Sequence, residues 1–599
     1  MSNHLKKLKS CKTGIDLVNI FSNELGVPTK LFWDTIYSLN HFSQYTSFII
    51  PKASGGERTI LIPPQPLKDL QKKFATILNF CIQEIQQENP NYLICNHAFE
   101  IKKSILTNAQ IHRNKKYVLN IDLSDFFGSI HYGRISNFFK ADKYFKLNDK
   151  VAKTIAQLAC FRDKNNKTFL PQGSPLSPII ASLIGNLLDI RLVKISKEYK
   201  LTYSRYADDL TFSSNKPIHE DLVRWNSEDS IWEAGNRLRR VIEDSGFKIN
   251  DKKTRLFSAK QRQTVTGIIV NKALNISEYY QKHNRAMLYS LFTSGKFSIG
   301  DKEGTINQLI GRLNYVASVK YLKQHHDMSI QEWEEERRKF AYLCAENFDN
   351  DKKNSNRSIR LLRQAIFYKY FIGNNKPIIF PEGVTDSIYF KLANKILNPN
   401  EYKENYIIQS INSELTKIGL GGGTALINSF LLRAYKDYFI NLKNLKIKSK
   451  HPVIFVLDYD QGLDVKVKDK NEKSKKNIPE THNMKDGQQW VHIRENIYLV
   501  LLRPLTLENK EPTFRNISEM TCIENLLSHV SIGKIQVDDK NHENIKFKKG
   551  TYPKTVFAKY VAKHSTHFNF SEFKKIFELL DEIKQHFYQE ITSDKEEVV

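Results

Sequence analysis

The stretch Tyr206-Ala207-Asp208-Asp209 decides the fold, because it sets two adjacent carboxylates between the apolar run Leu201–Tyr203 and the alternating segment Leu210–Ser213. This pattern predicts a β-hairpin with the acidic pair at its tip. Neighbouring like charges repel each other, so a cation is expected there, and Mg²⁺ is usually held by one or two carboxylates together with substrate phosphates. Adjacent strand residues point to opposite faces, so either Asp208 or Asp209 has to lie in the turn.

A second acidic segment lies upstream. The run Lys116–Asp122 reads as a strand that enters a buried sheet and ends in a carboxylate. An isolated Asp-Asp pair is common in turns for local hydrogen-bonding reasons, so this second segment carries the argument. An acidic strand end that faces an Asp-Asp hairpin is typical of two-metal phosphoryl transfer, in which one ion activates the attacking oxygen and the other stabilises the leaving group.

The order of these segments resembles that of a reverse transcriptase, and specifically of a bacterial retron reverse transcriptase. Asp122 matches the first catalytic aspartate of the family, Tyr206–Asp209 matches its YxDD box, and Leu170–Pro178 matches the segment that shapes the nucleotide pocket. The resemblance implies an α+β right-hand polymerase with fingers, palm and helical thumb. It also implies catalysis by the three aspartates and two bound Mg²⁺ ions, with the ligands Asp122, Leu123, Asp208 and Asp209.

A basic hairpin precedes these motifs. The segment Phe48–Pro63 places two apolar strands around a Ser-Gly-Gly turn, which predicts a β-hairpin. Its basic residues Lys52 and Arg58 match the fingers hairpin of the family, where such groups hold the incoming triphosphate. Without the resemblance, the same residues could be solvated charges on a surface hairpin.

Three further substrate residues are assigned by the resemblance. Phe127, five positions after Asp122, falls where the family keeps a bulky residue against the sugar 2′ position, which implies deoxynucleotide substrates. Gln172 would face the nucleotide. Lys253 is the family's lysine near the leaving pyrophosphate, and the neighbouring Lys252 stays an alternative.

Two short signatures narrow the family to retron enzymes. The run Asn108-Ala109-Gln110-Ile111-His112 is similar to the retron NAxxH signature, and Val265-Thr266-Gly267 is similar to the VTG signature, at the start of a predicted strand Val265–Val270. Asparagine and histidine could bind an RNA backbone or 2′-hydroxyl, or they could cap a helix locally. The resemblance favours RNA binding by these residues: Asn108, Ala109, His112, Val265, Thr266 and Gly267.

Composition limits the function classes. A net charge of +26 and a pI near 9.4 favour a polyanionic partner, although a lysine-rich proteome would produce the same balance. The six cysteines have no C-x-x-C spacing, which argues against a zinc site or a disulfide scaffold. No apolar run reaches the roughly 18 residues that a membrane helix needs, so we expect a cytoplasmic protein without membrane contact.

The C-terminal part follows a different pattern. Two apolar strands, within Pro377–Asp386 and His451–Asp460, end in acidic residues. Acidic side chains at the carboxyl ends of neighbouring strands in an α/β sheet converge on the ligand crevice. Glu382, Asp458 and Asp460 therefore predict a second site for one or two Mg²⁺ ions, whereas Glu382 alone would suit a helix N-terminus.

This constellation resembles a TOPRIM domain, an α/β Rossmann-like fold found in topoisomerases, primases and OLD-family nucleases. The glycine-rich segment Thr416–Thr424 lies between the two strands, and Glu524 matches a later acidic ligand of the OLD-type group. The resemblance implies that Asp458 and Asp460 hold metal while Glu382 acts as ligand or general base in phosphodiester cleavage. Its substrate would be a nucleic acid.

Together these patterns predict a retron reverse transcriptase fused to a TOPRIM nuclease-like effector. Family behaviour implies that it copies a structured non-coding RNA into branched, RNA-linked single-stranded DNA (msDNA) from dNTPs, in antiphage defence. The alternatives are a group II intron or diversity-generating reverse transcriptase, or a nucleic-acid-binding regulator with a non-catalytic TOPRIM domain. A homo-oligomer is left open. The expected domains are a helical lead-in 1–45, fingers and palm 46–275, thumb 276–348, linker or connecting helix 349–373 and TOPRIM 374–599.

Overall fold

The structure is a computed structural model. It describes residues 4–26, 30, 45–51, 56–323, 357–398, 405–423, 427, 430–431, 445–458, 467–469, 472–476, 488–502, 522–530, 533–537, 544–547 and 550–596. The chain divides into two units, Met1–Ser277 and Glu278–Val599. The division falls beside the predicted start of the thumb at residue 276.

The first unit combines helices with short antiparallel strands. Its helices are α1 (His4–Ser10), α2 (Gly14–Leu25), α3 (Gln65–Glu88), α4 (Ile105–Gln110), α5 (Tyr132–Ala141), α6 (Asp149–Ala159), α7 (Ser177–Glu198) and α8 (Asn236–Asp244). Its strands are β1 (Thr46–Pro51), β2 (Glu57–Ile62), β3 (Tyr117–Ser124), β4 (Phe161–Arg162), β5 (Thr168–Phe169), β6 (Thr202–Tyr206), β7 (Asp209–Ser214), β8 (Val223–Asn226), β9 (Ile231–Ala234), β10 (Lys248–Ile249), β11 (Arg255–Ser258), β12 (Thr264–Val265) and β13 (Ile268–Ile269).

A five-stranded antiparallel sheet organises this unit around β3. Strand β7 pairs with one edge of β3 and with β6, while β10 and β11 pair with the other edge of β3. Alternation along β3 buries Val118, Leu119, Ile121 and Leu123, as expected for a strand that packs against a core. The predicted strand at Lys116–Asp122 and the predicted hairpin around the Asp-Asp pair are confirmed. So is the fingers hairpin, formed by β1 and β2.

Helix α7 lies in the core of this unit. Its sequence is apolar nearly all round, so it has no polar face to expose, and thirteen of its residues are buried. Pro178 lies in the first turn of the helix, where its missing N–H costs nothing because that group would have no partner within the helix. The apolar run Pro178–Leu188 after the Pro-Gln-Gly segment predicts a buried helix, and the structure confirms it.

A buried ion pair ties α7 to strand β6. The guanidinium of Arg205 is fully buried and donates to both carboxylate oxygens of Asp189, at 2.8 Å each. The Tyr203 hydroxyl donates to the same carboxylate at 2.8 Å, and Arg205 Nη1 donates to the Ala207 carbonyl at 3.3 Å. A Cβ on Gly185 would lie 2.6 Å from the guanidinium carbon, so only glycine leaves room for this pair.

The VTG signature forms a turn, so the predicted continuous strand Val265–Val270 is wrong. Strands β12 and β13 pair with each other, and Thr266 and Gly267 between them both have positive φ angles, of 45° and 83°. Two-residue hairpin turns need positive φ at both central positions, which glycine adopts without strain. The segment therefore reverses direction where an extended connection was expected.

The second unit contains the remaining elements. Its helices are α9 (Glu278–Ser294), α10 (Ile306–Lys323), α11 (Arg357–Phe371), α12 (Val384–Leu397), α13 (Ser413–Thr416), α14 (Lys554–Lys563) and α15 (Phe573–Glu596). Its strands are β14 (Ser298–Ile299), β15 (Lys302–Glu303), β16 (Ile378–Pro381), β17 (Ile407–Ile408), β18 (Val453–Asp458), β19 (Val467–Asp469), β20 (Glu472–Lys476), β21 (Trp490–Arg494), β22 (Ile497–Leu502), β23 (Ser528–His529), β24 (Gly533–Lys534), β25 (Gln536–Val537), β26 (Asn544–Phe547), β27 (Gly550–Pro553) and β28 (Phe568–Asn569).

A mostly parallel sheet carries the second acidic segment. Its strand order is β17-β16-β18-β22-β21, in which the first four strands are parallel and β21 is antiparallel to β22. Strands β16, β18 and β22 are apolar except for Asp458 at the end of β18, and they are buried almost completely, as expected for parallel strands covered on both faces. Among the described residues, no helix combines the length and the apolar character needed to cross a membrane.

Helix α11 lies within the segment 349–373 that the sequence predicts as a linker or connecting helix. Ten of its residues are buried, and Phe371 stacks on Phe380 of β16 with ring centroids 5.9 Å apart. Arg363 Nε also donates to the Lys417 carbonyl at 3.0 Å. The segment 357–371 is therefore a helix that packs within the second unit, while residues 349–356 lie outside the described residues.

We expect Asp189→Asn to destabilise the first unit strongly. The substitution leaves the Arg205 guanidinium buried without a counter-charge, which typically costs about 3–5 kcal/mol. Urea denaturation of the full chain measures the loss. The matched control is Glu198→Gln, which removes the exposed ion pair with Arg237 and is expected to cost about 0–1 kcal/mol. Equal losses in the two variants would contradict the assigned importance of the buried pair.

Candidate functional site

The structure brings three predicted catalytic aspartates together at one end of the antiparallel sheet. Asp122 on β3 lies directly opposite Asp209 on β7. Ala207 has a φ angle of 56°, so the chain turns sharply between β6 and β7 and Asp208 lies in that turn, as the alternation argument requires. The Leu123 N–H donates to the Asp208 carbonyl at 3.0 Å, which fixes the turn against β3.

Burial and mutual repulsion disturb the ionisation of this cluster. Burial raises the pKa of Asp209 to about 7, with further contributions from Asp208 and Asp122, against a lowering by Lys253. Burial also raises the pKa of Asp208, and the Asp122 charge adds to that rise. The metal-free cluster therefore holds protons near neutral pH that ordinary aspartates have lost.

Asp122 is held by two partners from the loop after β10. Lys253 Nζ lies 3.0 and 3.2 Å from its two carboxylate oxygens, and Asn250 Nδ2 donates to Oδ2 at 3.1 Å. Of the two lysines left open by the sequence, Lys253 is the one that makes this contact. An ammonium group thus stands beside the acid that the resemblance assigns to a metal ion.

The donor set suits Mg²⁺, although side chains have to move for an ion to bind. Carboxylate and carbonyl oxygens are ligands that suit Mg²⁺, and Leu123 could contribute only its backbone carbonyl, because its side chain is a hydrocarbon without a donor atom. In the part of the chain that the structure describes, no three acidic, histidine or cysteine side chains converge closely enough to hold a metal ion. An ion bound by Asp122 would also compete with the Lys253 ammonium for the two carboxylate oxygens.

A cleft of about 1260 Å³ opens in front of the aspartates. Its walls include the predicted substrate residues Arg58, Phe127, Gln172 and Lys253, together with Asp122 and Asp208. Lys52, the second basic residue predicted on the fingers hairpin, lies outside the described residues. The volume and the mixture of acidic, basic and aromatic walls suit a nucleotide with its template.

The predicted nucleotide segment is fixed against the fingers hairpin. The Leu61 N–H donates to the Gln172 carbonyl at 2.7 Å. Gly173 has a φ angle of 123°, and a Cβ at this position would lie 2.5 Å from the Leu61 carbonyl oxygen. Only glycine permits this close approach, which sets Gln172 at the edge of the cleft.

The predicted RNA contacts of the NAxxH signature are wrong for its side chains, because they are buried. Asn108, Ala109 and His112 have no exposed surface. The His112 ring nitrogens lie 2.7 Å from the hydroxyls of Ser213 and Ser204, and Ser204 donates to Asn108 Oδ1 at 2.6 Å. Burial lowers the pKa of His112 to about 3, so the ring is neutral. The signature positions the β6–β7 hairpin that carries the acidic pair.

The VTG signature is likewise mainly structural. Val265 is buried, and the Thr266 hydroxyl donates to the Ile105 carbonyl of helix α4 at 3.3 Å. Direct RNA binding through the Val265 side chain is therefore wrong, while Gly267 is exposed at the tip of its turn. The turn and the NAxxH helix support each other.

A second acidic cluster lies at the carboxyl ends of β16 and β18. The Asp458 N–H donates to Glu382 Oε2 at 3.1 Å, and Asp458 Oδ1 accepts from the Ile523 N–H at 3.0 Å. Glu524 is fully buried, and its carboxylate lies 3.2 Å from Lys554 Nζ. The structure thus joins three of the four predicted acids, while Asp460 lies outside the described residues.

Two residues of this cluster, Asp386 and Lys554, were not predicted from the sequence. Asp386 accepts from the Gly383 N–H at 2.7 Å, and Lys554 approaches Glu524 from helix α14. Burial and then the charges of Asp386, Glu524 and Glu382 raise the pKa of Asp458 well above its usual range. Asp386 has a sequence signal, since an acid at the third helical position after Glu-Gly is a typical cap, whereas Lys554 has none.

The second cluster also suits a cation. The fully buried Glu524 carboxylate pairs with the Lys554 ammonium at 3.2 Å, and the charges of Asp386, Glu524 and Glu382 all act on Asp458. Buried carboxylates are costly unless opposite charge compensates them, and one ammonium does not balance this group. Glu382, Asp458 and Glu524 are the residues that would hold Mg²⁺ there.

Comparison with known proteins agrees with the architecture of the first unit. Residues 50–277 match the family described as "Reverse transcriptase (RNA-dependent DNA polymerase)". The chain is 30% identical over 289 residues to the retron Ec73 reverse transcriptase of Escherichia coli, covering 46% of this chain and 82% of that enzyme. It is 26% identical over 319 residues to the retron Ec86 reverse transcriptase of Escherichia coli, covering 53% of this chain and 89% of that enzyme.

Myxococcus xanthus provides a further relative. The retron Mx162 reverse transcriptase is 30% identical over 273 residues, which cover 44% of this chain and 54% of that enzyme. The chain thus spans about half the length of this relative. The first unit contains a reverse transcriptase domain. The chain belongs to the retron reverse transcriptase family.

We expect Asp209→Asn to raise the melting temperature of the metal-free protein at pH 8, and to raise it less at pH 5. The folded pKa of about 7 exceeds the unfolded value near 3.9, so the folded state binds more protons between these values and loses stability as pH rises through this window. Calorimetry in EDTA measures the shift. Asp244→Asn, an exposed control, should show no such pH dependence, and an equal shift for Asp209→Asn at both pH values would contradict the account.

Proposed function

We propose that this chain is a retron RNA-directed DNA polymerase that copies a structured non-coding RNA into msDNA. The observation that carries the proposal is that Asp122 and Asp208 line a nucleotide-sized cleft, while Asp209 lies directly opposite Asp122 in the β3–β7 strand pair. Membership of the retron family supports this function over that of a group II intron or diversity-generating enzyme. The net charge of +26 suits a protein that binds RNA and DNA phosphates.

The residues of the cleft divide the work of nucleotidyl transfer. Asp122, Asp208 and Asp209 would hold two Mg²⁺ ions, which when bound lower the charge barrier between the attacking hydroxyl and the α-phosphate. Lys253 is placed to release Asp122 and to neutralise the leaving pyrophosphate. The positive charge of Arg58 lowers the pKa of Asp208, and Arg58 would bind the triphosphate of the incoming dNTP.

Two further residues of the cleft wall, Phe127 and Gln172, would select the substrate. Phe127 would exclude a ribose 2′-hydroxyl by its bulk, and Gln172 would contact the nucleotide at the edge of the cleft. The product would be a DNA linked to the 2′-hydroxyl of its own RNA template, as the family resemblance implies. A role in antiphage defence completes the proposal.

We expect Asp208→Asn to abolish msDNA. Loss of one metal-holding carboxylate removes several kcal/mol of transition-state stabilisation, which corresponds to a fall of about 100-fold or more. RNase-treated nucleic acid from cells that express the chain with its upstream RNA locus reports the short DNA on a denaturing gel. Asp244→Asn is the exposed control and should leave the DNA band at its wild-type level. A wild-type band in Asp208→Asn would reject the polymerase assignment of these carboxylates.

We further propose that the second unit is a TOPRIM-type effector that cleaves nucleic acid with Mg²⁺. Glu382 and Asp458 at parallel strand ends, together with the fully buried Glu524, gather more negative charge than Lys554 alone balances, which supports a cation site there. Glu382 would act as metal ligand or general base. The alternative is a regulator in which the same residues bind metal and phosphates without cleavage.

We expect Glu382→Gln to remove toxicity or defence while msDNA synthesis continues. The amide keeps the size of the side chain and can no longer act as a base or as a strong Mg²⁺ ligand. Plaque counts and the msDNA band are read from the same cells, with Glu572→Gln as an exposed control in the same unit. Unchanged defence in Glu382→Gln would reject the nuclease and leave the binding alternative.

A further inference from the structure

A second aromatic residue lines the cleft beside Phe127. Phe99 is 44% exposed although it is large and apolar, and it forms part of the cleft wall. Its φ angle is 62°, a left-handed conformation that bulky residues seldom adopt. Such strain persists only where the surrounding structure imposes it.

The loop is anchored from below by a buried polar network. Asn96 is fully buried, and its Nδ2 donates to the Ala98 carbonyl at 2.9 Å and to the Ser182 hydroxyl of α7 at 3.0 Å. The His97 N–H donates to the Arg205 carbonyl at 2.8 Å, which joins the loop to the strand that leads into the acidic pair. Phe99 is therefore presented by a fixed support and does not sit on a loose surface loop.

A lysine closes the loop from the other side. Lys103 Nζ donates to three backbone carbonyls, those of Leu93, Ile94 and Asn96, at 2.7 to 2.9 Å. These bonds tie the end of the loop to its beginning. The position of the Phe99 backbone is thus determined by contacts that involve neither substrate nor metal.

Phe127 lies in a tight turn that follows β3. Asp125 has a φ angle of 45°, and a Cβ on Gly128 would lie 2.2 Å from the Asp125 carboxylate, so the turn after β3 has one conformation. Phe126 points inward, buried, and stacks on Phe247 with centroids 5.3 Å apart. Phe127 points towards the cleft.

Two rings enclose the Phe127 ring. Phe126 meets it edge-on at a centroid distance of 5.5 Å and an interplanar angle of 77°. Phe99 meets it at 6.2 Å and 62°, also within the range of edge-to-face pairs. Phe126 is fixed in the core, so Phe99 is the contact on the side of the cleft. Without Phe99 the Phe127 ring has space to rotate towards the Phe99 side.

We propose that Phe99 is a positioning residue for Phe127 and that it sets discrimination between deoxyribonucleotides and ribonucleotides. The inference rests on the proposed polymerase function and on Phe127 as the residue against the sugar. Phe99 holds the Phe127 ring where a 2′-hydroxyl would collide with it. Loss of Phe99 lets the ring yield, and the ribonucleotide enters at little cost.

The test is single-nucleotide incorporation on an RNA template by the purified full chain, measured as kcat/KM for a dNTP and for the matching rNTP. Phe99→Ala is expected to reduce the dNTP preference about 2- to 10-fold, the factor that corresponds to the energy of an edge-to-face pair. Phe99→Tyr keeps the ring and should retain the preference. Ile101→Ala, an exposed residue of the same loop, is the matched control and should leave the preference unchanged.

A double variant shows whether Phe99 acts through Phe127. Phe127→Ala alone is expected to lose most of the dNTP preference, and adding Phe99→Ala should then change it no further. An unchanged preference in Phe99→Ala, or a full additional loss in the Phe127→Ala background, would overturn the positioning role. If Phe127→Ala keeps the wild-type preference, Phe127 does not exclude the ribose 2′-hydroxyl, and the role inferred for Phe99 is wrong as well. If the wild-type chain makes no RNA-templated DNA, the polymerase proposal itself fails.

Discussion

The structure of the first unit depends on keeping three mutually repelling carboxylates together at the end of one antiparallel sheet. The pairing of β3 with β7 places Asp122 opposite Asp209, and the left-handed Ala207 puts Asp208 into the turn between the strands. Lys253 only partly offsets the repulsion between these carboxylates, as the raised pKa of Asp209 shows. The buried Arg205–Asp189 pair and the His112 network beneath the hairpin supply the rigidity that resists the repulsion.

The two units solve the same electrostatic problem in different folds. In each, acids gather at strand ends, burial raises an aspartate pKa, and one lysine partly compensates: Lys253 beside Asp122, and Lys554 beside Glu524. Both lysines approach from a segment of the chain other than the one that carries the acid. Each lysine therefore supplies positive charge that stabilises its acid cluster in the metal-free protein.

The sequence predicted the candidate catalytic residues more completely than the residues that hold them in place. The Asp-Asp hairpin and the strand ending in Asp122 were predictable, because period-two patterns and turn residues are local signals. The burial of Asn108 and His112 was not, since a polar side chain looks the same in sequence whether it meets RNA or a buried serine. Lys554 joins the second cluster only through tertiary packing. Helix α11 follows a polar segment that read as a linker, and its burial depends on β16.

The central claim is that Asp122 serves RNA-templated DNA synthesis by holding Mg²⁺ with the Asp208 turn. Incorporation of a single dNTP opposite a defined RNA base, measured as Mg²⁺ is titrated into the purified chain, tests it most directly. The account predicts template-matched incorporation that rises with Mg²⁺ and vanishes in EDTA, and none at any Mg²⁺ concentration for Asp122→Asn. Template-matched incorporation by Asp122→Asn at the wild-type rate would contradict it.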